Sequence, residues 1–87
     1  MSKEIWRVVV DASVRKMLDR IPLTDAEAIA AVLVGLSDNP YAGDIQKLRG
    51  GEAWRRRVRS YRLEFRVYQD MRTVLVYKLK RRTSTTY

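Results

Sequence analysis

Ala53-Trp54-Arg55-Arg56-Arg57-Val58-Arg59 is followed, after Ser60, by Tyr61-Arg62-Leu63-Glu64-Phe65-Arg66-Val67-Tyr68-Gln69, and these two runs set the architecture. Both runs alternate, which is the pattern of a strand with one covered face. In the second run Tyr61, Leu63, Phe65 and Val67 share one face. Arg62, Glu64 and Arg66 share the other. In the first run the alternation sends Trp54, Arg56 and Val58 inward and Arg55, Arg57 and Arg59 outward. Arg56 fits an apolar face poorly, so it is expected at a sheet edge or with its head snorkelling to water. Asp70-Met71-Arg72 reads as a turn and Thr73 to Lys80 as a further strand. Three strands with short links predict an antiparallel meander.

Upstream the period changes from 2 to 3.6. Ile5 to Val10 is short and β-branched and reads as a strand. Asp11 reads as an N-cap, and Val14, Met17, Leu18 and Ile21 form one helical stripe that ends at Pro22. Thr24-Asp25-Ala26-Glu27 has the form of a capping box. Behind it Ile29, Val32, Leu33 and Leu36 form a second stripe, which stops before Asn39-Pro40. Both stripes read as core packing. Residues 37–52 read as a loop. The predicted order is β-α-α-β-β-β: an α+β fold in which a two-helix antiparallel hairpin packs on one face of a four-stranded sheet. With 87 residues and no repeat or linker, the chain is expected to be a single domain, 1–87.

Charge is the second decisive feature. The net charge is +8. Residues 1–46 carry five basic and seven acidic groups, whereas residues 47–87 carry thirteen basic and three acidic ones. A solubilising surface usually mixes signs, so this asymmetry points to a polyanion. Arg55, Arg57 and Arg59 would stand about 7 Å apart along the strand, close to phosphate spacing in a nucleic acid. Arg62, Arg66, Lys78 and Lys80 would extend this face across the sheet. Arginine suits the task, because its planar fork holds phosphate by two hydrogen bonds and keeps its charge. Tyr61, Tyr68 and Tyr77 are candidates for base stacking, although Tyr61 and Tyr77 fall among alternating apolar positions and read as core residues. The tail from Lys80 through Arg81 and Arg82 to Tyr87 reads equally as a frayed basic end.

Residue types absent from the chain narrow the chemistry. There are no cysteines and no histidines. Thiol catalysis, cysteine-rich zinc sites and imidazole bases are therefore excluded. No metal and no cofactor is expected. No stretch reads as a secretion signal or membrane span, and a cytoplasmic location without membrane association is expected.

Order and spacing together resemble the toxins of the RelE/ParE superfamily across nearly the whole chain. The matching elements are Asn39-Pro40-Tyr41-Ala42-Gly43-Asp44, Gln46-Lys47-Leu48-Arg49-Gly50, Trp54 to Arg59, Tyr61-Arg62, Lys80-Arg81 and Tyr87. The RelE branch of that family cleaves mRNA in the ribosomal A site. The resemblance implies Arg55, Arg57, Arg62, Arg81 and Tyr87 as catalytic residues, with Arg62 and Arg81 stabilising the phosphate charge and Tyr87 orienting the nucleotide. Lys47, Arg49, Arg59, Arg66, Lys78, Lys80 and Arg82 are the expected RNA contacts. It also implies a cognate antitoxin, contacts with 16S rRNA and a toxin–antitoxin complex that binds operator DNA. One departure stands out: where relatives use a lysine as base, this chain has Arg55 and Arg57, which do not release a proton near neutral pH. Glu52, Glu64, Lys80 and Tyr87 are the open candidates for a base. The rival readings are a ParE-like inhibitor of DNA gyrase and an RNA-binding module without chemistry.

Overall fold

The computed structural model describes residues 5–82. The order is β1 (Arg7–Val10), α1 (Ala12–Arg20), α2 (Leu23–Asp38), β2 (Ile45–Lys47), β3 (Ala53–Val58), β4 (Tyr61–Tyr68) and β5 (Thr73–Arg81), with a short 3-10 turn at Gln69–Met71 before β5. The sheet has five strands rather than four, in the order β1-β5-β4-β3-β2. β1 runs parallel to β5, and the remaining neighbours are antiparallel. The additional strand, β2, lies within the stretch expected to be loop. Three residues are too few to show a period, and β2 exists because it pairs with β3.

The α+β class and the meander hold. Tyr61, Leu63, Phe65 and Val67 are all buried, together with Val14, Ile29 and Leu36 from the helices and Val74, Val76 and Leu79 from β5. Each helix therefore seats its predicted stripe on the same sheet face. Asp11 caps α1 as expected: its carboxylate accepts from the Ser13 amide at 3.0 Å and from the Ser13 hydroxyl. Those bonds hold its carboxyl below the usual aspartate value.

The capping box does not form. The N-cap of α2 is Pro22, and Thr24 lies inside the first turn. The Pro22 carbonyl takes the Ala26 amide, so the helix starts two residues early on backbone geometry alone. Asp25 is thereby released for another task, described below.

β5 breaks its alternation. Glu64 pairs with Lys78 but Phe65 pairs with Val76, leaving Tyr77 as the extra residue of a β-bulge. The bulge has a simple cause in the sequence. Val74, Val76 and Leu79 must all face the core, and a regular strand cannot bury both Val76 and Leu79. Tyr77 is consequently half-exposed on the opposite face rather than in the core, whereas Tyr61 is buried as predicted.

Candidate nucleic-acid interface

Among the described residues, helices cover one face of the sheet and leave the other open. Strand register fixes what the open face displays. Arg57, Arg62 and Lys80 form one row across β3, β4 and β5. Arg55, Glu64 and Lys78 form the next, with Gln46 of β2 beside Arg55. Arg66 follows along β4. Arg82 lies two residues beyond Lys80, and its amide is held by the Ser60 carbonyl at 2.7 Å.

The two rows differ in charge. In the second, Glu64 stands between two cations and accepts the Tyr77 hydroxyl at 3.1 Å. The Arg66 guanidinium lies 5.5 Å above the Tyr77 ring. Burial pushes the Tyr77 phenol above its ordinary value, the Glu64 hydrogen bond and charge add to this, and Arg66 opposes it. Tyr77 is thus kept as a neutral donor. In the first row, Arg57 directly faces Arg62, which directly faces Lys80. Like charges opposed across strands destabilise a sheet, by roughly 0.2–1 kcal/mol a pair. Folding gains nothing from that row, whereas a phosphate would.

A small depression of about 50 Å³ opens at this row, lined by Asp44, Gln46, Arg55, Arg57, Arg62 and Arg82. The Arg55 guanidinium donates to the Gln46 side chain. The Arg57 Nε lies 4.0 Å from the Asp44 carboxylate. A much larger groove, about 600 Å³, lies at the other end of the sheet. Tyr41, Trp54 and Tyr68 line it, and its charges are Lys47, Glu52 and Asp70. One cation against two carboxylates does not suit a polyanion, so charge selects the smaller site despite its size.

Several expected residues fall elsewhere. Arg59 does not extend the ridge. It occupies the tight β3–β4 turn with φ of 55°, and its guanidinium reaches Asp25 on α2 at 3.3 Å. The same carboxylate accepts the buried Tyr61 hydroxyl at 3.3 Å. Burial raises the Tyr61 phenol above its usual value, Asp25 reinforces this by charge and hydrogen bond, and Arg81 opposes it. Arg81 pairs with Tyr61, so register turns it toward the helix side, away from Arg62. Arg82 lines the depression in its place. Lys47 pairs with Trp54 and lies 5.8 Å over that ring, outside the arginine rows. Arg49 sits in the β2–β3 turn, at the far end of the sheet from Arg57. Tyr87 lies outside the described residues.

Arg56 does not lie at a sheet edge. β3 is an interior strand. The Arg56 side chain passes under the loop before β2 and donates from Nη1 to the Ala42 carbonyl at 3.0 Å. Gly43, at φ of 91°, lies so close to this guanidinium that a Cβ there would overlap it. This explains why a glycine is needed: its backbone is left-handed and its missing side chain is Arg56's space. Arg56 therefore fixes the loop that presents Asp44. Asp44 is not among the site residues expected from the sequence. The signal was there: continuing the two-residue period back from Gln46 brings Asp44 to the face of Arg55 and Arg57.

A two-layer α+β domain with an open, arginine-lined sheet face has relatives among solved structures. The chain matches an archaeal RelE in a RelE–RelB complex from Pyrococcus horikoshii OT3 with 26% identity and a TM-score of 0.81, over 92% of this chain and 98% of that one. It matches the isolated RelE toxin of E. coli with 20% identity and a TM-score of 0.76, over 92% and 87% of the two chains. It matches a chain of the RelBE2 toxin–antitoxin complex of Mycobacterium tuberculosis with 22% identity and a TM-score of 0.75, over 93% and 95%. No family model and no curated protein sequence matches the chain. This is the fold of the RelE and YoeB/ParE toxins, and the archaeal RelE shares 26% of its residues with the chain.

Proposed function

We propose that the chain is the toxin of a toxin–antitoxin pair and an endoribonuclease of the RelE branch, cutting mRNA in the ribosomal A site. The observation that carries this reading is the row Arg57–Arg62–Lys80, with Arg55 and Arg82 beside it. It juxtaposes cations at a cost to folding, which a bound phosphate chain would repay. In the reaction, the RNA 2′-oxygen attacks the adjacent phosphorus. The P–O5′ bond breaks, leaving a 2′,3′-cyclic phosphate and a 5′-hydroxyl end. Arg55, Arg57, Arg62 and Arg82 would neutralise charge developing on the phosphate oxygens. Preorganised donors of this kind supply much of an enzyme's acceleration. The chemistry is assigned to these side chains without a metal. The ribosome would orient the RNA and supply positioning that so small a domain cannot.

A cognate antitoxin is the expected partner, and the operator-binding complex and cytoplasmic setting go with it. Leu23 and Val34 on the outward side of α2 are each 71% exposed. Apolar side chains on both sides of a helix suit a partner that covers the outer one. Among the described residues no helix is long and apolar enough to cross a membrane.

Primer extension on mRNA translated with purified components tests the reading. Protein-dependent ends inside codons at the A site are expected. Intact mRNA together with gyrase-dependent DNA damage would instead place the chain with the ParE branch. Binding to RNA without new ends would leave it a binding module.

A further inference from the structure

We infer that Asp44 is the general base that takes the 2′-hydroxyl proton, an assignment that rests on the nuclease reading above. The reaction needs a proton acceptor, and the described residues offer few, since an ordinary lysine amine carries its proton near neutral pH. Guanidinium groups hold their protons near neutral pH. Tyr77 is kept protonated and spends its hydroxyl on Glu64. Glu64 accepts that bond and stands among cations of the neighbouring row, away from the depression's lining. Glu52 lines the aromatic groove at the other end of the sheet.

Among the described residues Asp44 is the one carboxylate lining the arginine depression. Its side chain is 70% exposed, so substrate reaches it, and it stands 4.0 Å from the Arg57 Nε. Its backbone is fixed on both sides. The Asp44 carbonyl accepts the Arg57 amide at 3.2 Å, the Gly43 carbonyl accepts the Ile45 amide at 3.0 Å, and Arg56 holds the Ala42 carbonyl. An acceptor on an anchored loop beside phosphate-binding guanidiniums is an arrangement suited to general-base catalysis. In the step, Asp44 takes the proton from the 2′-oxygen as that oxygen bonds to phosphorus. The departing 5′-oxygen takes its proton from solvent. Arg57, whose Nε stands 4.0 Å from the carboxylate, contacts the phosphate.

The test is single-turnover cleavage of mRNA on programmed ribosomes by the full-length chain, Asp44→Asn and Asp44→Ser, with 2′,3′-cyclic phosphate ends as product. Asp44→Asn is expected to slow the saturated rate by about 10²–10⁴-fold, the usual contribution of a general base. Its binding to ribosome-bound RNA should be unchanged or tighter, because a negative charge has left a cationic site. Added formate should restore part of the Asp44→Ser rate by supplying the missing acceptor. Wild-type cleavage matched by Asp44→Asn overturns the assignment while the nuclease reading stands. So does a loss that appears only in binding, or an Asp44→Ser enzyme that formate does not restore. A wild-type chain that makes no cyclic phosphate ends overturns both together.

Discussion

The two faces of β4 carry alternate residues of one eight-residue strand, yet opposite physics governs them. Tyr61, Leu63, Phe65 and Val67 face the helices and are 3% exposed or less. Arg62, Glu64 and Arg66 face outward, and Arg62 has cations opposite it on both sides. One face supplies the apolar burial that folds the chain. The other spends some of that stability on a juxtaposition useful only to an anion. The two sets of residues should therefore respond to substitution in opposite ways.

The largest effect belongs to the covered face. Phe65→Ala empties a fully buried site and should cost about 3–5 kcal/mol. For a domain of this size that is a fall of tens of degrees in Tm, read by circular dichroism. Arg62→Ala sharpens the contrast. Cleavage should fall by about 10²-fold or more, while Tm holds or rises by a few degrees as two like-charge contacts vanish. A marked loss of stability in Arg62→Ala would break the comparison.

Gly43→Ala should lower cleavage while leaving most of the fold intact, because an added Cβ meets Arg56 in a left-handed backbone and displaces the Asp44 loop. Limited proteolysis of the loop beside the activity assay would show this. The smallest effect concerns alkaline pH. The folded Tyr61 and Tyr77 phenols titrate above their unfolded values. Their contribution is therefore present below pH of about 10 and lost as pH rises from there through the folded values. Tyr77→Phe should flatten the decline of Tm above pH of about 10, and an unchanged decline would show that Tyr77 plays no part in it.

The contrast between faces was legible in sequence because β4 alternates without error over its whole length. The meander, both helical stripes and the Asp11 cap were legible for similar local reasons. What escaped was set by pairing. β2 is too short to declare itself, so the sheet gained a strand and Asp44 went unnoticed. Arg59 continued the alternation of β3 on paper, but a two-residue turn cannot continue a strand, and Asp25 was free to draw it to the helix side. The bulge at Tyr77 carried Tyr77 outward and kept Lys80 on the open face, and the alternation that follows turns Arg81 away and Arg82 in. Arg56 looked like a misfit because the loop it supports is far from it in sequence.

The most direct test of the central claim is primer extension on mRNA in a purified translation system, comparing the wild-type chain with Arg62→Ala. New ends at A-site codons are expected with the wild type, none when ribosomes are omitted, and a loss of about 10²-fold or more with a variant that melts no lower. Intact mRNA with the wild type, or equal cleavage by a folded Arg62→Ala, would contradict it.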